Sequence, residues 1–244
     1  VYDMYLGNAG TKTYLSVIPD KNTFIASQNG YPDKDYKALT ERLRSGFPEA
    51  KYIDISGLLS SDDFYYTDSH WRQEGILKVA DEIADKMGAE RIGQCEKHDT
   101  GVSFYGVYYG QAALPHAPER FFYLDNAVIR GLKVYNVETS SDIPVYDLRA
   151  AAGRDPYEMF LGGARSIIRI TNPNAAKERR LIIFRDSFGS SIAPFLTAGY
   201  SEVTLVDIRY IAPSALGRLI DFTKADDALF FYSASVINNS ETIK

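Results

Sequence analysis

Short apolar runs and amphipathic stretches alternate along most of this chain. Residues 14–18 form a mostly apolar run ended by Pro19-Asp20-Lys21, the composition of a buried strand closed by a turn. Over residues 35–47, Tyr36, Leu39, Leu43 and Phe47 fall at helical spacing. Residues 51–55 read as a second short strand. The pattern over 72–87 predicts a strong helix, with Leu77, Ala80, Ile83, Ala84 and Met87 inward and Gly88 as its stop. Strand, helix, strand, helix argues for a mostly parallel sheet covered by helices.

The middle departs from this. From about residue 98 to 148 the period turns β-like and predicts no helix, with short antiparallel strands over 102–109 and 127–137. About 50 residues make a marginal core alone, so 98–148 reads as a β-rich insertion within one α/β domain spanning 1–244. The alternation then returns. Residues 181–184 are wholly apolar, as in a strand buried on both faces. A helix over 190–198 tolerates Pro194 in its first turn. A strand over 203–207, a helix over 213–223 and a last strand over 228–232 follow.

Composition narrows the function. The 244 residues are 45% hydrophobic and 24% charged, ordinary for a soluble globular chain. A net charge of −5 without a Lys/Arg run gives no electrostatic reason to expect nucleic acid or an anionic membrane surface. Cys95 is the only cysteine, so no intrachain disulfide forms; with only His98 nearby it reads as a partly buried thiol. No apolar run reaches the ~20 residues of a membrane-spanning helix. The chain starts at Val1 without a signal peptide, and is read as a trimmed or mature fragment of a longer protein, whose missing start is where an export signal or anchor would lie. Its 18 tyrosines and 13 phenylalanines mostly suit a β-rich core, although exposed tyrosines can also form platforms for sugars.

Two remote segments carry the chemistry: Tyr66-Thr67-Asp68-Ser69-His70-Trp71 and Leu181-Ile182-Ile183-Phe184-Arg185-Asp186-Ser187-Phe188-Gly189. Open parallel sheets present ligands beyond the carboxyl ends of their strands, where Ser187 is expected. A serine hydroxyl needs an adjacent base. His70 suits that role better than His98, beside Lys97 and Asp99, or His116, beside Pro115. Asp68, two residues before His70, can reach its Nδ1 and fix the tautomer. The plainer alternative is that Asp68 or Ser69 caps a helix, His70 and Trp71 pack in the core, and Asp186-Ser187 caps another helix.

Taken together, these segments resemble SGNH-hydrolase-like proteins of the DHHW and AlgX/AlgJ type, bacterial polysaccharide O-acetylation proteins. Matching stretches are Val17-Ile18-Pro19-Asp20-Lys21, the Tyr66–Trp71 segment, Tyr157-Glu158-Met159-Phe160-Leu161-Gly162-Gly163, the 181–189 segment, Pro194-Phe195-Leu196-Thr197, and Tyr200 onward to Ile208-Arg209-Tyr210. The resemblance implies a three-layer, flavodoxin-like α/β/α sandwich and a triad in the order Asp, His, Ser. Carried over, Ser187 is the nucleophile, His70 the base and Asp68 its orienter, in an O-acetyltransferase or acetylesterase passing through an acetyl-serine. The same resemblance implies an extracytoplasmic protein acting on a polysaccharide or acetylated sugar near a membrane-bound O-acyltransferase.

The chain departs from that pattern twice. Ser69 replaces the motif's first histidine, which is not a triad member. Gly162-Gly163-Ala164 stands where many relatives carry Gly-Asn or Gly-Gly-Asn. Backbone amides of Ser187 and of Gly162 or Gly163 are then expected to hold the oxyanion, and losing one donor costs ~2.7–4 kcal/mol. Trp71, Arg209 and Tyr210 are candidates for the crevice wall, although Arg209 is rather expected to pair with Asp207. Neither a cofactor nor a metal is required. The alternative is a non-catalytic carbohydrate-binding or scaffold protein of a polysaccharide machine, and a purely structural surface module is a further one.

Overall fold

A computed structural model of the chain describes residues 1–113 and 115–239. The strands, in chain order, are β1 (Lys12–Ile18), β2 (Lys51–Tyr52), β3 (Glu96–Phe104), β4 (Glu119–Asp125), β5 (Lys133–Asn136), β6 (Ser141–Ile143), β7 (Ile167–Thr171), β8 (Arg180–Arg185), β9 (Glu202–Val206) and β10 (Asp227–Ser233). The α-helices are α1 (Asn22–Ile25), α2 (Tyr36–Gly46), α3 (Leu77–Met87), α4 (Val107–Ala112), α5 (Ala127–Gly131), α6 (Leu148–Ala151), α7 (Phe188–Ile192) and α8 (Ala234–Asn238).

Among the described residues, one eight-stranded sheet runs in the order β2-β1-β10-β8-β9-β7-β5-β6. The first five strands in that order are mutually parallel, and β7, β5 and β6 extend the sheet antiparallel. The sheet is therefore mostly, not entirely, parallel. β3 and β4 form a separate antiparallel ribbon.

Period-2 alternation on the central strands divides the interior in two. Leu181 and Ile183 of β8 and Leu229 and Phe231 of β10 face one core, with Ile83 of α3 and Trp71. Ile182 and Phe184 of β8 and Ala228 and Tyr232 of β10 face the other, with Leu216 and Phe222. A core on each face of one sheet makes an α/β sandwich of three layers. Each fully buried Leu, Ile or Phe contributes about 1.5–3 kcal/mol of apolar transfer.

Several elements differ from their sequence-based expectation. The helix expected from residue 72 starts at Leu77, because Gln73–Gly75 form a 3₁₀ turn whose glycine presses on Asp63. A Cβ on Gly75 would lie 2.7 Å from Asp63 Oδ1. Of residues 51–55, only Lys51–Tyr52 pair as strand, although Ile53 and Ile55 are buried. In the middle segment, α4 and α5 occupy stretches expected to be β, and β5 and β6 join the main sheet. Helices of one turn and a half carry little periodicity, and α5 is started locally by the Asn126 side chain, which accepts from Ile129 N at 3.0 Å. The helix expected over 190–198 is α7 followed by a 3₁₀ segment, Ala193–Gly199, since Pro194 has no N–H to continue the α ladder. Residues 213–223 form 3₁₀ turns instead of an α-helix. No described helix is long and apolar enough to cross a membrane.

Candidate active site

Strand β8 delivers Asp186-Ser187 to the carboxyl edge of the parallel strands. Asp186 pins that edge: Oδ1 accepts from Phe188 N at 3.1 Å, and Oδ2 from Ser233 N at 2.8 Å, tying the end of β8 to the end of β10. The chain then turns into α7 so close to the strand that a Cβ on Gly189 would stand 2.6 Å from Arg185 Cβ. Only glycine permits that approach.

Residues 64–71 form a tight loop closed by Tyr65 N donating to His70 O at 3.1 Å and by a bridge between Phe64 and Trp71. Within it, Asp68 Oδ1 accepts from His70 N at 2.9 Å and lies 2.6 Å from His70 Nδ1. His70 Nε2 lies 2.7 Å from Ser187 Oγ, across 117 positions of sequence. Asp68 Oδ2 accepts from Val107 N at 2.9 Å. Burial pushes the Asp68 carboxyl up, but the hydrogen bonds and charge of His70 and the amide of Val107 outweigh it and hold the group below its ordinary value. With Nδ1–H donated to a carboxylate, Nε2 presents its lone pair to the Ser187 hydroxyl, the arrangement from which a serine can lose its proton as it attacks.

A second set of residues holds this loop. Lys21, just beyond β1, donates from Nζ to the backbone oxygens of Tyr65 at 2.8 Å, Tyr66 at 3.0 Å and Asp68 at 2.9 Å. Burial lowers the pKa of that ammonium, and the charges of Glu119 and Asp68 offset part of the effect. Glu119 of β4 accepts from Tyr66 N, Thr67 N and Thr67 Oγ1, each at 2.8 Å, and pairs with Arg72. Tyr157 stacks flat on His70, and its hydroxyl donates to Ser191 Oγ at 2.8 Å. Trp71 Nε1 donates to the same oxygen at 2.8 Å. Lys21, Glu119 and Tyr157 were not singled out for the site from sequence. Only Lys21 and Tyr157 sat in stretches that carried the family resemblance, and nothing local marks their contacts.

Of the expected site residues, the structure brings Asp68, His70 and Ser187 together and leaves the others elsewhere. The cleft over Ser187, of about 270 Å³, has His70, Lys21, Asn22, Tyr108 and Ser233 among its walls, and neither Trp71, Gly162, Gly163, Arg209 nor Tyr210 lines it. Trp71 is wholly buried and faces the core instead of a crevice. Arg209 spends its guanidinium on Asp207, at 2.9 and 2.7 Å, which is the structural pairing. Tyr210 is exposed beside it, and Arg185 is fully buried. Leu161, Gly162 and Gly163 have consecutive positive φ values of 54°, 71° and 74°. The amide of Gly163 donates to Phe160 O at 3.1 Å, so that N–H is already spent.

A family model described as DHHW protein matches residues 56–206. No match is found among curated proteins. Similar solved structures include a DHHW family protein from Eubacterium siraeum, 19% identical with a TM-score of 0.67 over 96% of this chain and 82% of that one. Bacillus cereus PatB1, solved with a sulfonyl adduct, is 19% identical with a TM-score of 0.73 over 96% and 85% of the two chains. The O-acetyltransferase domain of Pseudomonas putida AlgJ is 10% identical with a TM-score of 0.53 over 95% and 78%. At these identities the likeness is one of fold.

Proposed function

We propose that this chain, which belongs to the DHHW family, carries out serine-dependent acyl transfer on an exported polysaccharide, as an O-acetyltransferase or acetylesterase. The observation that carries the reading is the continuous line from Asp68 Oδ1 through His70 to Ser187 Oγ, with contacts of 2.6 and 2.7 Å. In this reading Ser187 Oγ attacks the carbonyl carbon of an acetyl ester while its proton passes to His70 Nε2. The carbon–oxygen bond to the leaving alcohol breaks as His70 returns that proton to it, leaving acetyl-serine. A second oxygen nucleophile, water or a sugar hydroxyl, gives its proton to His70 as it attacks the acetyl carbon, and the bond from that carbon to Ser187 Oγ breaks as His70 returns the proton to Oγ, restoring the serine. The acyl group is supplied by a partner, for which the family resemblance suggests a membrane-bound O-acyltransferase, and the chain works outside the cytoplasm. The O-acetyltransferase named among the similar folds supports this class of chemistry.

The oxyanion is the weak part of the site. With the Gly163 amide spent and Gly162 away from the cleft, neither glycine serves the developing charge, and the donors left to it are the amide of Ser187 and the side chain of Asn22 on the cleft wall. One missing donor costs ~2.7–4 kcal/mol, or roughly 10²–10³ in rate, so a slow enzyme is expected. That same thinness favours the second reading, a carbohydrate binder without turnover. Release of p-nitrophenol from p-nitrophenyl acetate, compared between the wild type and Ser187→Ala, separates the two. Acyl transfer predicts serine-dependent release and labelling of Ser187 by a fluorophosphonate. Equal release from both proteins and no labelling would leave only the binder.

A further inference from the structure

Beside the Ser187 cleft lies a larger one that the acyl-transfer chemistry does not use. Its volume is about 910 Å³, and it shares Lys21, Asn22 and Tyr108 with the smaller cleft, so the two meet along a common wall. That volume is toward the upper end of ligand sites, typically ~300–1,000 Å³. An acetyl group needs far less.

Exposed aromatic rings dominate this larger cleft. Tyr66 is 70% exposed and stacks on His116, with centroids 4.5 Å apart and planes at 17°. Tyr108 and Tyr109 are 39% and 36% exposed. Large rings left in water with hydroxyls at their tips offer apolar faces and polar edges together, which matches the alternating C–H faces and hydroxyl edges of a pyranose. The cations here are already committed. The Lys21 ammonium donates to three backbone oxygens, while Arg72 pairs with Glu119, donates to Phe64 O and lies over the Tyr65 ring. An anionic ligand would find no spare counter-charge in them. Asp62, exposed on the same wall, adds a carboxylate that can accept from hydroxyls and would repel an acidic sugar.

We propose that this cleft is the glycan subsite of the protein, holding a neutral oligosaccharide against the Tyr66–His116 stack while one sugar unit reaches Ser187 across the Tyr108 wall. The proposal rests on the acyl-transfer reading for what happens at Ser187, but the binding itself needs no turnover.

The test is titration of the Ser187→Ala protein by calorimetry with chitotetraose, cellotetraose and xylotetraose, with oligogalacturonate as the acidic comparison. At least one neutral tetrasaccharide is expected to bind, with Kd raised about fivefold or more by Tyr66→Ala and by His116→Ala. The Tyr66 ring is mostly in water, so its removal spares the core, and a thermal melt confirms that each variant is folded. Binding of none of the neutral probes, binding of oligogalacturonate alone, or Kd values left within twofold by both variants would each overturn the proposal. Fluorophosphonate labelling of wild-type Ser187 reports on the triad separately, so a failed subsite and a failed acyl-transfer reading give different results.

Discussion

The ring of Tyr157 lies flat on the imidazole of His70, with centroids 3.9 Å apart and planes within 14°. Burial drives the Tyr157 phenol well above its ordinary pKa, so the ring stays neutral and turns an electron-rich face to the histidine. An imidazolium formed as Ser187 loses its proton would be stabilised by that face, an effect of about 0.5–2 kcal/mol. Tyr157→Leu is therefore expected to lower kcat on p-nitrophenyl acetate by roughly 2- to 30-fold with little change in KM. Tyr157→Phe keeps the ring and should retain most of the rate, although Ser191 loses a hydrogen bond. Equal losses in the two variants would mean that the hydroxyl, not the ring face, matters.

Lys21 holds the Asp68–His70 loop by its backbone, through three carbonyl oxygens. Lys21→Met keeps the length of the side chain and removes every donor. Loosening the loop by about 1 Å is enough to cost up to ~10²-fold in kcat. Stopped-flow kinetics should show kcat falling while KM moves little, and Lys21→Arg restoring part of the rate. An unchanged kcat in Lys21→Met would show that the loop holds its shape without the clamp.

The meeting of Asp68, His70 and Ser187 was legible because its parts announce themselves locally. Asp68 and His70 are two apart, and Ser187 follows an apolar strand whose carboxyl end must face the ligand side. What was not legible depends on contacts between distant elements. Lys21 reaches its three carbonyls only because the end of β1 lies under the 64–71 loop, and Glu119 meets Thr67 across 52 positions. Trp71, next to His70 in the chain, was expected as a candidate for the crevice wall. Strand geometry around the Phe64–Trp71 bridge instead sends neighbouring side chains to opposite sides, so His70 faces the cleft and Trp71 the core. Gly162 and Gly163 showed a backbone of unusual freedom, but glycine identity says nothing of where an amide points. The parallel half of the sheet followed from strand–helix alternation. β7, paired antiparallel to β9, carried no such signal and was not anticipated.

Gly106 is required by the close approach of α4 to the 64–71 loop. A Cβ there would lie 2.3 Å from Thr67 O and 2.4 Å from Asp68 Cβ, both too near to accommodate. Gly106→Ala should destabilise the chain by about 1–3 kcal/mol, lowering Tm by about 2–4 °C for each kcal/mol, and should displace Asp68. Gly110, four residues on within α4, has nothing within 4 Å of its added Cβ. Gly110→Ala should leave Tm unchanged or raise it, since alanine favours a helix by roughly 0.5–1 kcal/mol. Similar melting curves for the two variants would refute the steric argument.

Two carboxylates make the 64–71 loop sensitive to acid. In both Glu119 and Asp68, burial works against the charge. The amides of Thr67 and Tyr66 at Glu119, and the His70 contacts at Asp68, win and hold the folded pKa below its ordinary value. A carboxyl whose pKa is depressed by folding contributes stability that is complete above the unfolded value, ~4 for these groups. That contribution is lost as pH falls through the lower folded value. Glu119→Gln removes the first contribution, so urea unfolding at pH 7 should show the variant clearly less stable than the wild type. The gap should narrow as pH falls below about 4, where the wild-type carboxylate is itself being protonated. A gap that stays constant from pH 7 to pH 3 would mean that the loss comes from the shape of the side chain and not from its charge, and no gap at pH 7 would mean that a neutral acceptor serves the amides of Tyr66 and Thr67 equally well.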